Sequence, residues 1–393
     1  MQYNFDEIIE RKNTISSKWD RVGTKFGNPD ALPMWVADMD FKCPQPVIDA
    51  VVKRAQFGLY GYPYVPDSFR EATQSWVKQR HNWDISPGDV VFTGGVIPAM
   101  YNAVQEFAPK GSKVLIQRPV YYPFSNSIRE NGRSILNCPL ILCGGHYEID
   151  FDALEKCASD PDTHMMLLSN PHNPVSRVFT KEELKRIGEI CLRHHVLLFS
   201  DEIHSDFIYT GYRHIPIASI SEEIAQNTIT AIAPSKTFNL AGLRTASLVV
   251  PNAELRRRIE ERISDNRASM ASTFGIDAYI AAYQHGEEYL TQLLQYLEGN
   301  IEYLESYLNQ NIPKIRLIKP EGTYLMWLDC RNLGFNELEL DDFFTNKAAV
   351  ACDAGHWFGK EGSGFMRMNI ACPRTILNRG LQQITEQYQL FRL

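Results

Sequence analysis

HMMLLSNPHNPVSRVFTKEELKRIGEICLRHHVLLFSDEIH, residues 164–204, is the stretch that decides the fold class. It opens on the apolar run His164–Ser169 and closes on a second one, Val196–Ser200. Short runs without polar alternation read as strands buried on both faces. Between them, Thr180–His194 begins with a Thr-x-x-Glu capping box and sets Leu184, Ile187, Ile190 and Cys191 on one helical face. Strand, helix and strand in succession predict an α/β domain with a mostly parallel sheet.

Working outward, Lys113–Gln117, Thr228–Ile232 and Ala246–Val250 are runs of the same kind. The C-terminal part reads differently. A long amphipathic helix over Glu287–Asn309 is followed by runs at Ile315–Ile318, Thr323–Leu328, Ala349–Cys352 and Phe365–Ile370, and by a last helix. That mixture predicts a smaller α+β domain. The start of the chain is rich in Pro, Trp and Asp, with weak periodicity. The expected division is a large α/β domain over 46–286 and a small domain made of 1–45 and 287–393.

A chain of 393 residues is long enough for two cores. With 44% hydrophobic and 22% charged residues it has an ordinary globular balance, and a net charge of −7 gives no global attraction to nucleic acid or an anionic membrane. The basic run Arg256-Arg257-Arg258 is followed by Glu260 and Glu261 and reads as a salt-bridged helix face. The eight cysteines form no C-x-x-C pair, so neither a metal site nor a disulfide framework is expected. Met1–Glu7 has no basic and apolar leader pattern, and no apolar run nears the ~18 residues of a membrane span. A cytoplasmic location is expected.

Open α/β sheets bind ligands at the carboxyl ends of their strands. His164–Ser169 is followed by Asn170-Pro171-His172-Asn173-Pro174, Val196–Ser200 by Asp201-Glu202-Ile203-His204, and Thr228–Ile232 by Ala233-Pro234-Ser235-Lys236. Each alone reads equally as a turn, a cap or a solvated lysine. An amide, a carboxylate and an amine at three successive strand ends fit pyridoxal phosphate (PLP). A deprotonated lysine condenses with an aldehyde. A carboxylate keeps a pyridine nitrogen protonated. An amide bonds a phenolate oxygen. Thr93-Gly94-Gly95-Val96 enters a helix, where a phosphate would sit.

These motifs resemble the fold-type I PLP enzymes of the class I/II aminotransferase group. The carriers are Asn-Pro-x-Asn-Pro at 170–174, Ser-Asp-Glu-Ile-His at 200–204, Ser-Lys-Thr-Phe-Asn-Leu-Ala-Gly-Leu-Arg at 235–244 and Arg-Met-Asn-Ile-Ala-Cys-Pro-Arg at 367–374. Leu32–Phe41, Tyr60-Gly61-Tyr62 and His204 are similar to the cystathionine β-lyase (C–S lyase) branch. The resemblance implies an aspartate-aminotransferase-like fold with a mostly parallel seven-stranded sheet. It also implies a homodimer with shared active sites and a small amino-acid substrate.

It implies roles as well. Lys236 would hold the cofactor and move the proton, Asp201 would pair with the ring nitrogen, and Asn173 with the phenolate. Tyr121 would stack on the ring. Gly95, Val96, Ser235 and Arg244 would hold the phosphate, with Tyr62 reaching it from a second subunit. Arg367 would clamp the substrate carboxylate. His204 would support one of these groups or simply pack. The activity implied is carbon–sulfur β-elimination. Amino-group transfer and a low-turnover, PLP-binding regulatory role are the alternatives.

Some residues depart from the pattern or read blandly. Ser176 stands where glycine is common, and Ala233 where many aminotransferases have serine. Ser235 follows the lyase branch, whereas Arg244 is common in aminotransferases. His194-His195 reads as a helix end. Asp38 and Asp40 read as structural before substrate-facing. Trp357-Phe358 could line a substrate pocket or pack between domains.

Overall fold

The computed structural model describes residues 1–391. Its central sheet has seven strands: β1 (Val90–Thr93), β2 (Lys113–Ile116), β3 (Ser134–Asn137), β4 (Thr163–Ser169), β5 (Leu197–Asp201), β6 (Thr228–Ile232) and β7 (Ala246–Val249). Their order is β1-β7-β6-β5-β4-β2-β3. Neighbours are parallel except at β7, which runs antiparallel to both β1 and β6.

The strands lack polar alternation because helices cover both faces. Val114, Ile116, Met165 and Leu167 pack with Val104 of α1 (Val96–Phe107). Leu115, Met166 and Leu168 point the other way, onto Leu184, Ile187 and Ile190 of α2 (Lys181–Arg193). The capping box of α2 is formed: Glu183 N donates to Thr180 Oγ1 at 3.2 Å, and Thr180 N to the Glu183 carboxylate at 2.7 Å. The basic run lies on α3 (Ala253–Asp265). Its charges are matched: Arg257 pairs with Glu254 and Glu261, Arg256 with Asp89 and Arg258 with Glu106.

A second, antiparallel sheet contains β8 (Arg316–Leu317), β9 (Leu325–Asp329), β10 (Asp353–Ala354) and β11 (Phe365–Asn369), in the order β8-β9-β11-β10. It shares a core with α4 (Glu287–Asn311) and α5 (Arg374–Phe391) through Leu304, Leu308, Met326, Met368 and Leu377. The run at 349–352 divides. Val350–Ala351 pairs in parallel with Leu32–Pro33, and after Cys352 the chain forms β10.

Beyond that pairing, the N-terminal segment is fastened by two amides. Asn369 Nδ2 donates to the Val36 and Asp38 carbonyls, each at 2.7 Å. Asn239 Nδ2 donates to the Met39 and Phe41 carbonyls at 2.8 and 3.0 Å. Asn369 ends β11, and Asn239 lies three residues past Lys236. Residues 36–41 are thus strung between β11 and the segment that follows Lys236. Asp40 is buried and accepts from Lys18, Arg11 and Trp19, which makes it structural. Among the described residues no helix is long and apolar enough to cross a membrane, and no cluster of metal-ligating side chains occurs. All eight cysteines are free.

Candidate active site

The carboxyl ends of β2, β4, β5 and β6 open on one cavity of about 170 Å³. Asp201, Asn173, Lys236, Tyr121 and His204 all line it, as do Gly95, Val96, Ser235 and Arg244. Nine residues singled out in the sequence therefore converge on one space. Tyr62 does not line it: the residue is 94% exposed. Arg367 lies just behind the wall, bonded to Asn173.

Lys236 sits on the turn Pro234–Thr237, directly after β6. That turn is fixed from behind, where Thr237 Oγ1 donates to buried Asp206 at 2.7 Å and Trp76 Nε1 donates to the same carboxylate at 3.2 Å. Lys236 Nζ donates to the Ala37 carbonyl at 2.6 Å. Burial lowers its amine to about 8; Arg367 adds to this, and Asp38 and Asp201 oppose it. Near neutral pH a usable fraction of the amine is therefore unprotonated, as a base or nucleophile requires.

Asp201 ends β5 and is buried. Its Oδ1 accepts from Ile203 N at 3.1 Å. Burial raises its carboxyl to about 7, against the pull of that N–H and of Lys236. A buried carboxylate held this high lacks a close cation.

Asn173 is fixed at both ends. Its N–H donates to Ser169 Oγ at 3.2 Å, its carbonyl accepts from Tyr121 N at 3.1 Å, and its Oδ1 accepts from Arg367 Nη1 at 2.9 Å. With Oδ1 committed to a donor, the amide presents Nδ2–H as its remaining group. The turn around it depends on Ser176, which adopts φ +59 where glycine is common. The left-handed conformation is unfavourable for a residue with a Cβ. Here the Ser176 hydroxyl offsets that cost by bonding Leu325 O at 2.9 Å and Thr323 Oγ1 at 3.2 Å.

Arg367, on β11, is buried. Its Nη2 bonds Asp353 and the Trp35 carbonyl, its face lies 4.8 Å from the Phe358 ring centre, and its Nε has no partner. Asp353 is its cross-strand neighbour in β10. An orphaned charged donor beside a cavity awaits an acceptor.

His204 packs on Tyr324 and Phe207 with an unpartnered Nδ1. Burial, helped by the charges of Lys236 and Arg367, lowers its imidazole to about 3 and keeps it neutral. It bonds neither Asp201 nor Lys236, and it lines the cavity. Burial raises the Tyr121 hydroxyl well above its ordinary range, so it stays protonated. At the opposite wall, Gly95 has φ +144 and opens the twelve-residue helix α1 without a side-chain cap. Added at Gly95, a Cβ would come within 3.4 Å of Pro98. Trp357 does not line the cavity; its ring centre lies 5.8 Å from that of Phe26.

Three contributors were not visible in the sequence. The Ala37 carbonyl is a backbone group without a side-chain signature. Tyr324 donates to that carbonyl at 3.1 Å but lies far along the chain. Asp353 becomes the partner of Arg367 through strand register alone. An acidic residue in a short apolar run was the one available hint.

Residues 33–384 match the family described as aminotransferase class I and II. The chain is 40% identical to the cystathionine beta-lyase PatB of Bacillus subtilis (strain 168), over 97% of this chain and 98% of that one. The structure superposes on cystalysin from Treponema denticola, a protein that contains a pyridoxal 5'-phosphate cofactor. The TM-score is 0.96 at 36% identity, covering 99% of each chain. The PLP-bound C-S lyase of Staphylococcus hominis superposes with a TM-score of 0.92 at 33% identity, covering 98% of each.

Proposed function

We infer the activity from the premise that this chain belongs to the aminotransferase class I and II family: it is a PLP-dependent carbon–sulfur β-lyase. It releases a thiol, pyruvate and ammonia from cystathionine or a related cysteine S-conjugate. The observation that carries the reading is the convergence of Lys236, Asp201 and Asn173, from three strand ends, on one cavity. The cavity suits the cofactor. Asp201 is a buried carboxylate short of a cation, which a protonated ring nitrogen would supply. The Gly95–Val96 turn presents uncapped helix N–H groups to a phosphate.

Bound PLP supplies an electron-withdrawing ring that makes the substrate α-carbon acidic. The protein residues do the rest. Asp201 would hold the positive charge at the ring nitrogen, and Asn173 would donate Nδ2–H to the phenolate oxygen. Tyr121 would cover the ring. Gly95 and Val96 N–H, Ser235 and Arg244 would hold the phosphate. Arg367 would receive the substrate carboxylate, and the Lys236 amine would take the substrate α-proton. The Cβ–S bond then breaks, the thiolate leaves with the electron pair, and the remaining three-carbon unit is hydrolysed.

We assign the cofactor to the 46–286 unit, and the carboxylate clamp to the unit made of 1–45 and 287–393. The exposed Phe57, Leu59, Tyr60, Tyr62 and Tyr64 favour a homodimer in which Tyr62 reaches the partner's phosphate site. The enzyme is proposed to act in the cytoplasm. The test is incubation of the purified protein with cystathionine and no keto acid. Free thiol and pyruvate are expected. Turnover only after a keto acid is added would reassign the enzyme to amino-group transfer.

A further inference from the structure

The N-terminal helical turn Val22–Phe26 carries a lysine that the reaction above does not use. Lys25 is exposed, yet its ammonium is boxed by three aromatic rings. It lies 4.3 Å from the ring centre of Trp357, 5.7 Å from that of Trp35 and 5.9 Å from that of Tyr122. One of these walls belongs to the carboxylate clamp and another adjoins the cavity. The Trp35 carbonyl accepts from Arg367 Nη2 at 3.3 Å, and the Tyr122 ring lies 5.0 Å from that of Tyr121, which lines the cavity. The box is therefore one residue away from where the substrate carboxylate would bind.

Among the described residues Lys25 has no carboxylate within ion-pair distance. Of the nearby acids, Asp353 feels the Lys25 charge but pairs with Arg367, Asp342 pairs with Lys347, and Asp341 lies 3.9 Å from His356, which offsets its charge only when protonated. Ring faces attract an ammonium and hold it in position but, unlike a carboxylate, leave its charge unneutralised. A positioned, unmatched cation between aromatic walls suits a ligand group that is apolar along its length and anionic at its end.

We propose that Lys25 is the cation of a leaving-group subsite. The aromatic box takes the methylene chain borne on the substrate sulfur, and Lys25 pairs with a carboxylate at the end of that chain. The subsite rests on the lyase reading and names its substrate class: cysteine thioethers whose tail ends in a carboxylate, as that of cystathionine does beside its ammonium. Substrates with short neutral tails would be turned over but not favoured.

The test uses the holoenzyme, Lys25→Met and Lys25→Arg, with S-(2-carboxyethyl)cysteine and S-propylcysteine as the acidic and neutral substrates and pyruvate as the readout. In Lys25→Met the ratio of kcat/KM for the acidic substrate over the neutral one should fall about tenfold, the scale of one charge-assisted contact. The fall should lie in KM, and Lys25→Arg should restore the ratio. An unchanged ratio, or an equal loss on both substrates, overturns the subsite. If the wild type cleaves neither of these nor cystathionine, the lyase reading fails. The dissociation constants of both amino acids, read from the cofactor's absorbance change, would then still judge Lys25: a ratio unaffected by Lys25→Met overturns the subsite.

Discussion

Replacing Lys236 by methionine should stabilise the cofactor-free protein while destroying its chemistry. In the fold the amine titrates at about 8, against an ordinary 10.5, chiefly because it is buried. A difference of this size corresponds to roughly 3 kcal/mol at pH 7, at about 1.4 kcal/mol for each tenfold change. Methionine has a similar length and no charge to desolvate. The substitution loses the bond to the Ala37 carbonyl, worth about 1 kcal/mol. That carbonyl is not orphaned, because Tyr324 also donates to it, at 3.1 Å. The net gain should be about 2 kcal/mol. The pH dependence has a definite sign. Between about 8 and 10.5 the unfolded chain still holds the lysine proton while the fold has lost it, so wild-type stability rises with pH in that window. The advantage of Lys236→Met is complete below the window and disappears across it. Urea unfolding of both cofactor-free proteins at pH 7 and near pH 10 measures this. A variant no more stable than wild type at pH 7, or a gap that does not close with pH, would refute the burial argument.

Arg367→Lys keeps a charge but cannot serve Asn173, Asp353 and the Trp35 carbonyl together, so KM should rise about ten- to hundredfold, measured in steady state with cystathionine. Gly95→Ala places a Cβ on a backbone at φ +144 and narrows the phosphate turn. It should cost about 1–3 kcal/mol in unfolding free energy and weaken cofactor affinity in a fluorescence titration. Thr237→Val withdraws a donor from buried Asp206. A loss of about 1–3 kcal/mol is expected by urea denaturation, and a neutral result would count against the anchoring role of that bond.

The sequence could be read wherever burial was two-sided. β4, β5 and β6 are apolar on both faces and stand out as runs, and the groups just past them are the core of the cavity. β3 was not singled out: as an edge strand, Ser134–Asn137 is partly exposed and mixes polar with apolar residues. β1 is fully buried but runs straight into the Gly94-Gly95 turn, which masks it as a separate run. Ser176 and Arg367 were visible as residues but not as geometry. The hydroxyl bonds that allow one its left-handed backbone, and the aspartate that holds the other, come from segments more than a hundred residues away or across a strand pair.

The segment at 32–41 has a consequence for how this enzyme would look in a mutational scan. It serves the cavity through main-chain oxygens: Ala37 to Lys236, Trp35 to Arg367. A scan exchanges side chains and leaves those oxygens where they are. Substitutions at Ala37 that fit the space would score as harmless, whereas a one-residue deletion anywhere between the Leu32–Pro33 pairing and the Asn239 clamp would shift both acceptors out of place. Tolerance to substitution together with intolerance to deletion is the mark this stretch should leave on a population of variants.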